Sequence, residues 1–181
     1  MPSTEPGSQR ELASLDRREQ AIATTRGTSN YLEFLPDEVF HEDVVMIATS
    51  SHPRGIEEHV RRTDGNLESL SVIPVGDSSL RYDGSLNVAS RTWPKDLTRV
   101  GVRFTDFVRS VSTDDPWVVV DNLNVFLMYA DADRVCRFLE TVMGKSRRVG
   151  ARGVYFTVRT ALTDPTYEKL TGSCDRELDL R

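Results

Sequence analysis

An aliphatic run that ends in an acidic residue is the first feature of this sequence that could do chemistry. Val118, Val119 and Val120 lead into Asp121, and Asn122 follows. This is the pattern of a Walker B strand, whose carboxylate contacts a magnesium ion, usually through a water molecule. The same pattern arises when an aspartate at the end of a buried strand caps the next turn, which is the favoured interpretation. Asp121 is therefore a candidate nucleotide-site residue with a structural alternative.

The phosphate-binding loop that a Walker B strand requires is missing. Such a loop needs glycines, so that backbone N–H groups can wrap the phosphates, together with a lysine and a hydroxyl. No glycine stands between Gly27 and Gly55, and the first lysine is Lys95. Residues 36–43 are acidic and would repel a triphosphate. The sequence therefore excludes a conventional P-loop ATPase, and we expect no bound cofactor.

A second candidate site lies where residues 50–55 lead into a predicted helix. Ser50, Ser51 and Arg54 bring hydroxyl and guanidinium groups to this helix start, and such groups can hold an anion there. Ordinary helix capping by Ser50 or Ser51 explains the same residues and is the favoured interpretation. We keep Ser50, Ser51 and Arg54, together with Asp121, as candidates for a vestigial nucleotide site.

Neither a catalytic residue nor a metal site is predicted. Glu57, Glu58, His52 and His59 include metal-binding side chains, but adjacent glutamates point along different faces of a helix. A solvated helix face is the favoured interpretation of this group. No Gly-x-Ser-x-Gly elbow, Cys/His pair or pair of catalytic carboxylates stands out.

The segments that would position these residues alternate between strand and helix patterns. Strands are predicted at residues 31–35, 44–49, 70–75, 117–121, 153–158 and, as an edge strand, 176–180. Helices are predicted at residues 11–25, 55–62, 97–112, 132–148 and 165–170. This alternation predicts an α/β fold, a mostly parallel sheet with helices on both faces.

The amino-terminal residues offer little to bury. Residues 1–10 are rich in proline, glycine and hydroxyls, and the apolar set of residues 11–25 consists of Leu12, Leu15 and Ile22. A helix with so sparse an apolar face docks weakly. We therefore predict a flexible or weakly helical segment at 1–29 and a single domain at 30–181.

Charge and composition restrict the partners of the 181-residue chain. Its net charge of −5 argues against a nucleic-acid or membrane-surface binder, because both favour a basic face. No apolar run approaches the roughly 20 residues of a membrane span, and the amino terminus lacks the pattern of a signal peptide. The two cysteines, Cys136 and Cys174, match no zinc motif or disulfide scaffold. We expect a cytoplasmic protein with no membrane partner.

The order of the predicted elements, with Val-Val-Val-Asp-Asn-Leu at 118–123, resembles the RecA/KaiC-like ATPase core over residues 30–181. In particular, the chain looks like a group of proteins from halophilic archaea, sometimes labelled transducer-like, whose phosphate loop has decayed. On this resemblance, residues 31–35 are the strand that feeds the P-loop, and residues 36–43 are the remnant of the loop and its helix. Thr49, Ser50 and Ser51 stand where KaiC-like ATPases carry acidic catalytic residues.

The resemblance implies descent from an ATPase, and the missing residues imply that hydrolysis has been lost. Our preferred hypothesis is a non-catalytic module with a regulatory or signalling role. Its partner would be a protein, either an active ATPase relative or a second copy of the chain. The alternative is a nucleotide-binding protein or slow ATPase that combines Asp121 with a non-standard phosphate site at residues 50–55.

Overall fold

The strands of the molecule form one parallel sheet. The computed structural model describes residues 6–27 and 30–180. The strands in this part of the chain are β1 (Gln20–Thr25), β2 (Val44–Ala48), β3 (Leu70–Pro74), β4 (Asn87–Val88), β5 (Trp117–Val120), β6 (Arg152–Val158) and β7 (Arg176–Asp179). Their order across the sheet is β4-β3-β2-β5-β6-β1-β7, and every neighbouring pair is parallel. Residues 1–5, at the start of the predicted flexible segment, lie outside the described residues.

Helices cover both faces of this sheet. The α-helices are α1 (Pro6–Ala13), α2 (Pro53–Arg62), α3 (Leu97–Val108), α4 (Asn124–Leu127), α5 (Ala132–Arg148) and α6 (Asp164–Thr171). Alternate strand residues face opposite sides: Met46 packs with the cluster under α1 and α2, and Ile47 with the cluster under α3, α5 and α6. The predicted α/β fold, with a mostly parallel sheet between two helical layers, is confirmed.

The two long helices on the second face have the ends that their sequences favour. Asp96 caps α3 by accepting the N–H of Arg99 at 3.1 Å, and Asp131 caps α5 by accepting the N–H of Arg134 at 2.9 Å. Gly150, with φ of +77°, follows α5 in a conformation that favours glycine. Within residues 6–27 and 30–180, no helix is both long and apolar enough to cross a membrane.

The amino-terminal part of the sheet corrects the sequence prediction. Residues 20–25 form β1 instead of the end of a helix, and β1 lies between β6 and β7. All six of its residues are buried, and β1 has a parallel partner on each edge. This pairing decides that the segment is a strand, although its own apolar pattern is weak. The predicted domain boundary at residue 30 is therefore wrong, since it separates β1 from its own sheet.

The predicted strand at residues 31–35 is also wrong. Tyr31–Phe34 is a 3-10 helix, and a second 3-10 helix, Asp37–His41, follows within the predicted loop remnant at 36–43. Tyr31, Leu32 and Leu35 are the buried positions, and this spacing follows a helical turn rather than the alternation of a strand.

Candidate functional site

The carboxyl ends of the parallel strands meet at one edge of the sheet, and open α/β folds bind their ligands at this edge. We term it the carboxyl edge, defined by the last residues of β1, β2, β5 and β6. Asp121 directly follows β5, and residues 49–51 follow the neighbouring strand β2. The structure therefore brings three of the predicted candidates together here: Asp121, Ser50 and Ser51.

The Asp121 carboxylate is completely buried and hydrogen-bonded on both oxygens. Its Oδ1 accepts the backbone N–H of Thr49 at 2.6 Å and the Thr49 hydroxyl at 2.8 Å. Its Oδ2 accepts the N–H groups of Ser50 at 2.9 Å and Ser51 at 2.7 Å. These four bonds hold the loop between β2 and α2 against the end of β5.

The polar side chains around Asp121 are paired with one another. Asn122 donates to the Ser50 hydroxyl at 3.2 Å. The Thr157 hydroxyl, in β6, donates to Oδ1 of Asn124 at 2.9 Å, and the same oxygen accepts the N–H of Val158 at 2.8 Å. These polar side chains of the carboxyl edge thus have hydrogen-bond partners within the chain.

The segment after β1 differs from a phosphate loop in its composition and in the aromatic residue that succeeds it. Residues 26–30 contain one glycine and no lysine, and Tyr31 comes next. The Tyr31 ring is 2% exposed and packs on Phe156, with ring centroids 5.3 Å apart. Its hydroxyl has no hydrogen-bond partner in the described part of the chain. The pKa of Tyr31 is raised, mainly because the hydroxyl is buried. The Asp121 charge also raises this pKa, and the nearby Thr25 hydroxyl lowers it in part.

The amino end of α2 corrects the predicted cap. The cap is His52, whose Nδ1 accepts the N–H of Arg54 at 3.1 Å, and not Ser50 or Ser51. The serine N–H groups point instead to Asp121, because the loop bends back to the end of β5. Arg54, the fourth predicted candidate, begins the exposed face of α2.

The glutamate–histidine group of α2 is engaged in structural contacts. The Glu57 carboxylate accepts the Tyr82 hydroxyl at 2.8 Å and the N–H of Ser85 at 3.1 Å, and it pairs with Arg61 at 2.9 Å. The Tyr82 hydrogen bond is the main reason why the pKa of Glu57 is lowered. Across the described residues, no three His, Cys, Asp or Glu side chains gather closely enough to hold a metal ion.

His59 is the buried member of this group. It is 7% exposed, and its ring packs edge-on against Phe40 at 5.1 Å. Neither ring nitrogen has a hydrogen-bond partner among the residues that the structure describes. Burial lowers the pKa of His59 and Arg62 lowers it further, while Asp37 and Glu33 act in the opposite direction.

We expect His59→Leu to make the stability of the protein less sensitive to acid. The unfolded chain takes up a proton near the ordinary histidine pKa of about 6.5, whereas the folded chain takes it up at lower pH. The His59 contribution is therefore intact above pH 6.5 and is lost as the pH falls towards the folded pKa. Urea unfolding at pH 7.5 and pH 5.0 should show a smaller difference for the variant than for the wild type.

His41→Leu is the matched control for this measurement, because His41 is exposed at the end of a 3-10 helix. It should keep the pH dependence of the wild type. Equal pH dependence in the wild type and in His59→Leu would show that His59 is not held neutral by its surroundings.

Together, the parallel sheet, its two helical layers and the Asp121 strand beside β2 define a RecA/KaiC-like α/β core. The chain belongs to the family of unknown function DUF7504, whose model matches residues 8–180.

Two solved structures from Pyrococcus horikoshii OT3 share this fold. One, described only as a structural project target, is 14% identical in sequence and has a TM-score of 0.65. The match covers 96% of this chain and 87% of the other chain. The other, a KaiC-like protein, is 10% identical in sequence and has a TM-score of 0.59. The match covers 91% of this chain and 74% of the KaiC-like chain. Similarity at these identities shows the fold alone. No curated protein matches the chain.

Proposed function

We propose that this protein is a non-catalytic RecA/KaiC-like module that acts through contact with a protein partner in a regulatory role. The hydrogen bonding of Asp121 is the observation that carries the proposal. A magnesium-binding carboxylate presents an oxygen to the ion or to its water. Both oxygens of Asp121 instead accept donors from Thr49, Ser50 and Ser51, inside the protein. Magnesium would have to displace these donors.

The segment after β1 supports the same proposal. Phosphates are bound by converging backbone N–H groups and a cation, and residues 26–30 supply one glycine and no lysine. The aromatic ring of Tyr31 is packed close to Thr25 and Asp121. We interpret this segment as the degenerate phosphate loop of an ATPase ancestor, as in the halophilic archaeal proteins that the sequence resembles.

The alternative is a nucleotide-binding protein or slow ATPase that uses Asp121 with Ser50, Ser51 and Arg54. A cavity of about 270 Å³ beside the two serines is the space that a phosphate would enter. The backbone N–H groups of the three predicted residues are already used: those of both serines donate to Asp121, and that of Arg54 donates to His52. The structure therefore favours the first proposal.

Phosphate release from Mg-ATP tests this proposal. Phosphate release from Mg-ATP should be no faster with the purified chain than in buffer alone. A typical enzyme would turn over about 10 times per second. Turnover above the buffer rate that disappears in Arg54→Ala would favour the alternative. Arg62→Ala is the matched control, because it removes a second exposed arginine from the same helix.

A further inference from the structure

Four large apolar side chains of the described residues remain exposed, on α3 or in the segments that precede α3 and α5. In the described residues they are Trp93, Val102, Met128 and Tyr129, which are 47%, 54%, 76% and 41% exposed. Val102 lies on α3, Trp93 just before α3, and the other two just before α5. In chain order, α3 follows β4, and α5 follows β5 and α4.

A groove of about 580 Å³ separates these two helices. We term it the α3–α5 groove, and its apolar lining is formed by Leu97, Val102 and Phe138. Lys145 of α5 hydrogen-bonds to the Thr105 hydroxyl of α3 and joins its two walls. At Gly101 the groove is open, because an added Cβ would meet no atom within 4 Å.

The rim of the groove is basic, although the chain as a whole has a net charge of −5. Arg109, Arg134, Arg137 and Lys145 line it, and Asp106 is the one acidic side chain in the lining. None of these arginines forms an ion pair with another described residue. Arginine is one of the residues that protein interfaces favour, and a partner complementary to this basic rim carries negative charge.

We propose that the α3–α5 groove docks an acidic amphipathic helix of a partner protein. A groove between two adjacent helices accepts the side-chain ridge of a third. The apolar side chains of the partner lie over Gly101 and Phe138, and its carboxylates meet Arg134 and Arg137. This inference rests on the proposed function and deepens it, because it names the surface and the chemistry of the partner.

Fluorescence anisotropy with a labelled synthetic peptide tests this site. The peptide has about 18 residues, with leucine at helical spacing and glutamate elsewhere. The wild type should bind it with a Kd of about 10 μM at low salt, and more weakly as salt rises. Gly101→Leu fills the groove and should weaken binding by about tenfold or more. Gly55→Leu, at an equally open helical glycine on α2, should bind as the wild type does.

Charge variants test the rim. The double variant Arg134→Glu, Arg137→Glu should weaken peptide binding by about tenfold or more. Arg148→Glu, on the same helix but outside the groove lining, should leave it near the wild-type value. A peptide with lysine in place of glutamate should not bind.

Several results would overturn the inference: no binding of the acidic peptide, equal binding of both peptides, or binding that Gly101→Leu leaves unchanged. Tighter binding of single-stranded DNA that Gly101→Leu abolishes would assign the groove to nucleic acid. Dimerisation in sedimentation that Gly101→Leu abolishes would assign it to a second copy of the chain. These measurements contain no nucleotide, so failure here is distinguishable from failure of the non-catalytic proposal.

Discussion

Replacing Asp121 with asparagine is expected to lower the free energy of unfolding by about 4 kcal/mol. The substitution keeps the shape of the side chain but turns one acceptor oxygen into an NH2 group. That group would face N–H donors of Thr49 or of Ser50 and Ser51, so buried donors would lose their partner. Urea unfolding followed by circular dichroism measures the loss.

Asp106→Asn is the matched control for charge, because Asp106 lies on the exposed face of α3. It should change the free energy of unfolding by less than about 0.5 kcal/mol. If Asp121→Asn were as stable as this control, the hydrogen bonds of Asp121 would not be what holds the loop between β2 and α2. Its carboxylate would then be available for another role.

Gly153→Ala is expected to cost about 3 kcal/mol of stability, because β6 has no room for a methyl group at this position. The new Cβ would collide with Oε1 of Gln20 and lie 2.7 Å from the Tyr155 ring. Neither side chain can move cheaply. Oε1 of Gln20 accepts the Tyr155 hydroxyl at 2.7 Å, and Nε2 donates to the carbonyl oxygens of Arg18 and Ala151 at 2.9 Å.

The matched control is Gly144→Ala, in α5, where an added Cβ meets nothing within 4 Å. Alanine is the better helix former, so this variant should be more stable by about 0.5–1 kcal/mol. Thermal unfolding of both variants gives the comparison. A Gly153→Ala variant with the melting temperature of the wild type would contradict the tight packing of β1 on β6.

The sequence predicted the strands whose burial is visible as long aliphatic runs, namely β2, β3, β5 and β6. It did not predict β1, because alanine, threonine and glutamine fill most of that strand. Burial there comes from the paired neighbours β6 and β7, which follow more than 100 residues later in the chain. A local signal exists: the six residues between Glu19 and Arg26 carry no charge.

The candidate site, like the fold, could be predicted from the sequence only in part. Asp121 could be found because it ends an aliphatic run, but its partners at residues 49–51 are about 70 residues away in sequence. No local pattern connects them. The groove was missed, although Val102 falls outside the buried helical stripe of α3, where Leu97, Val100 and Phe104 repeat at helical spacing. A large apolar residue off that stripe was the available signal.

Isothermal titration calorimetry with Mg-ATP tests the central claim most directly, namely that the carboxyl edge binds no magnesium nucleotide because the Asp121 carboxylate is already fully hydrogen-bonded. We expect no saturable heat with nucleotide up to about 1 mM, which corresponds to a binding free energy weaker than about −4 kcal/mol. Saturable, magnesium-dependent heat with a micromolar Kd would contradict it. The contradiction would be complete if that heat were lost in Asp121→Asn, measured where circular dichroism shows the variant to be folded.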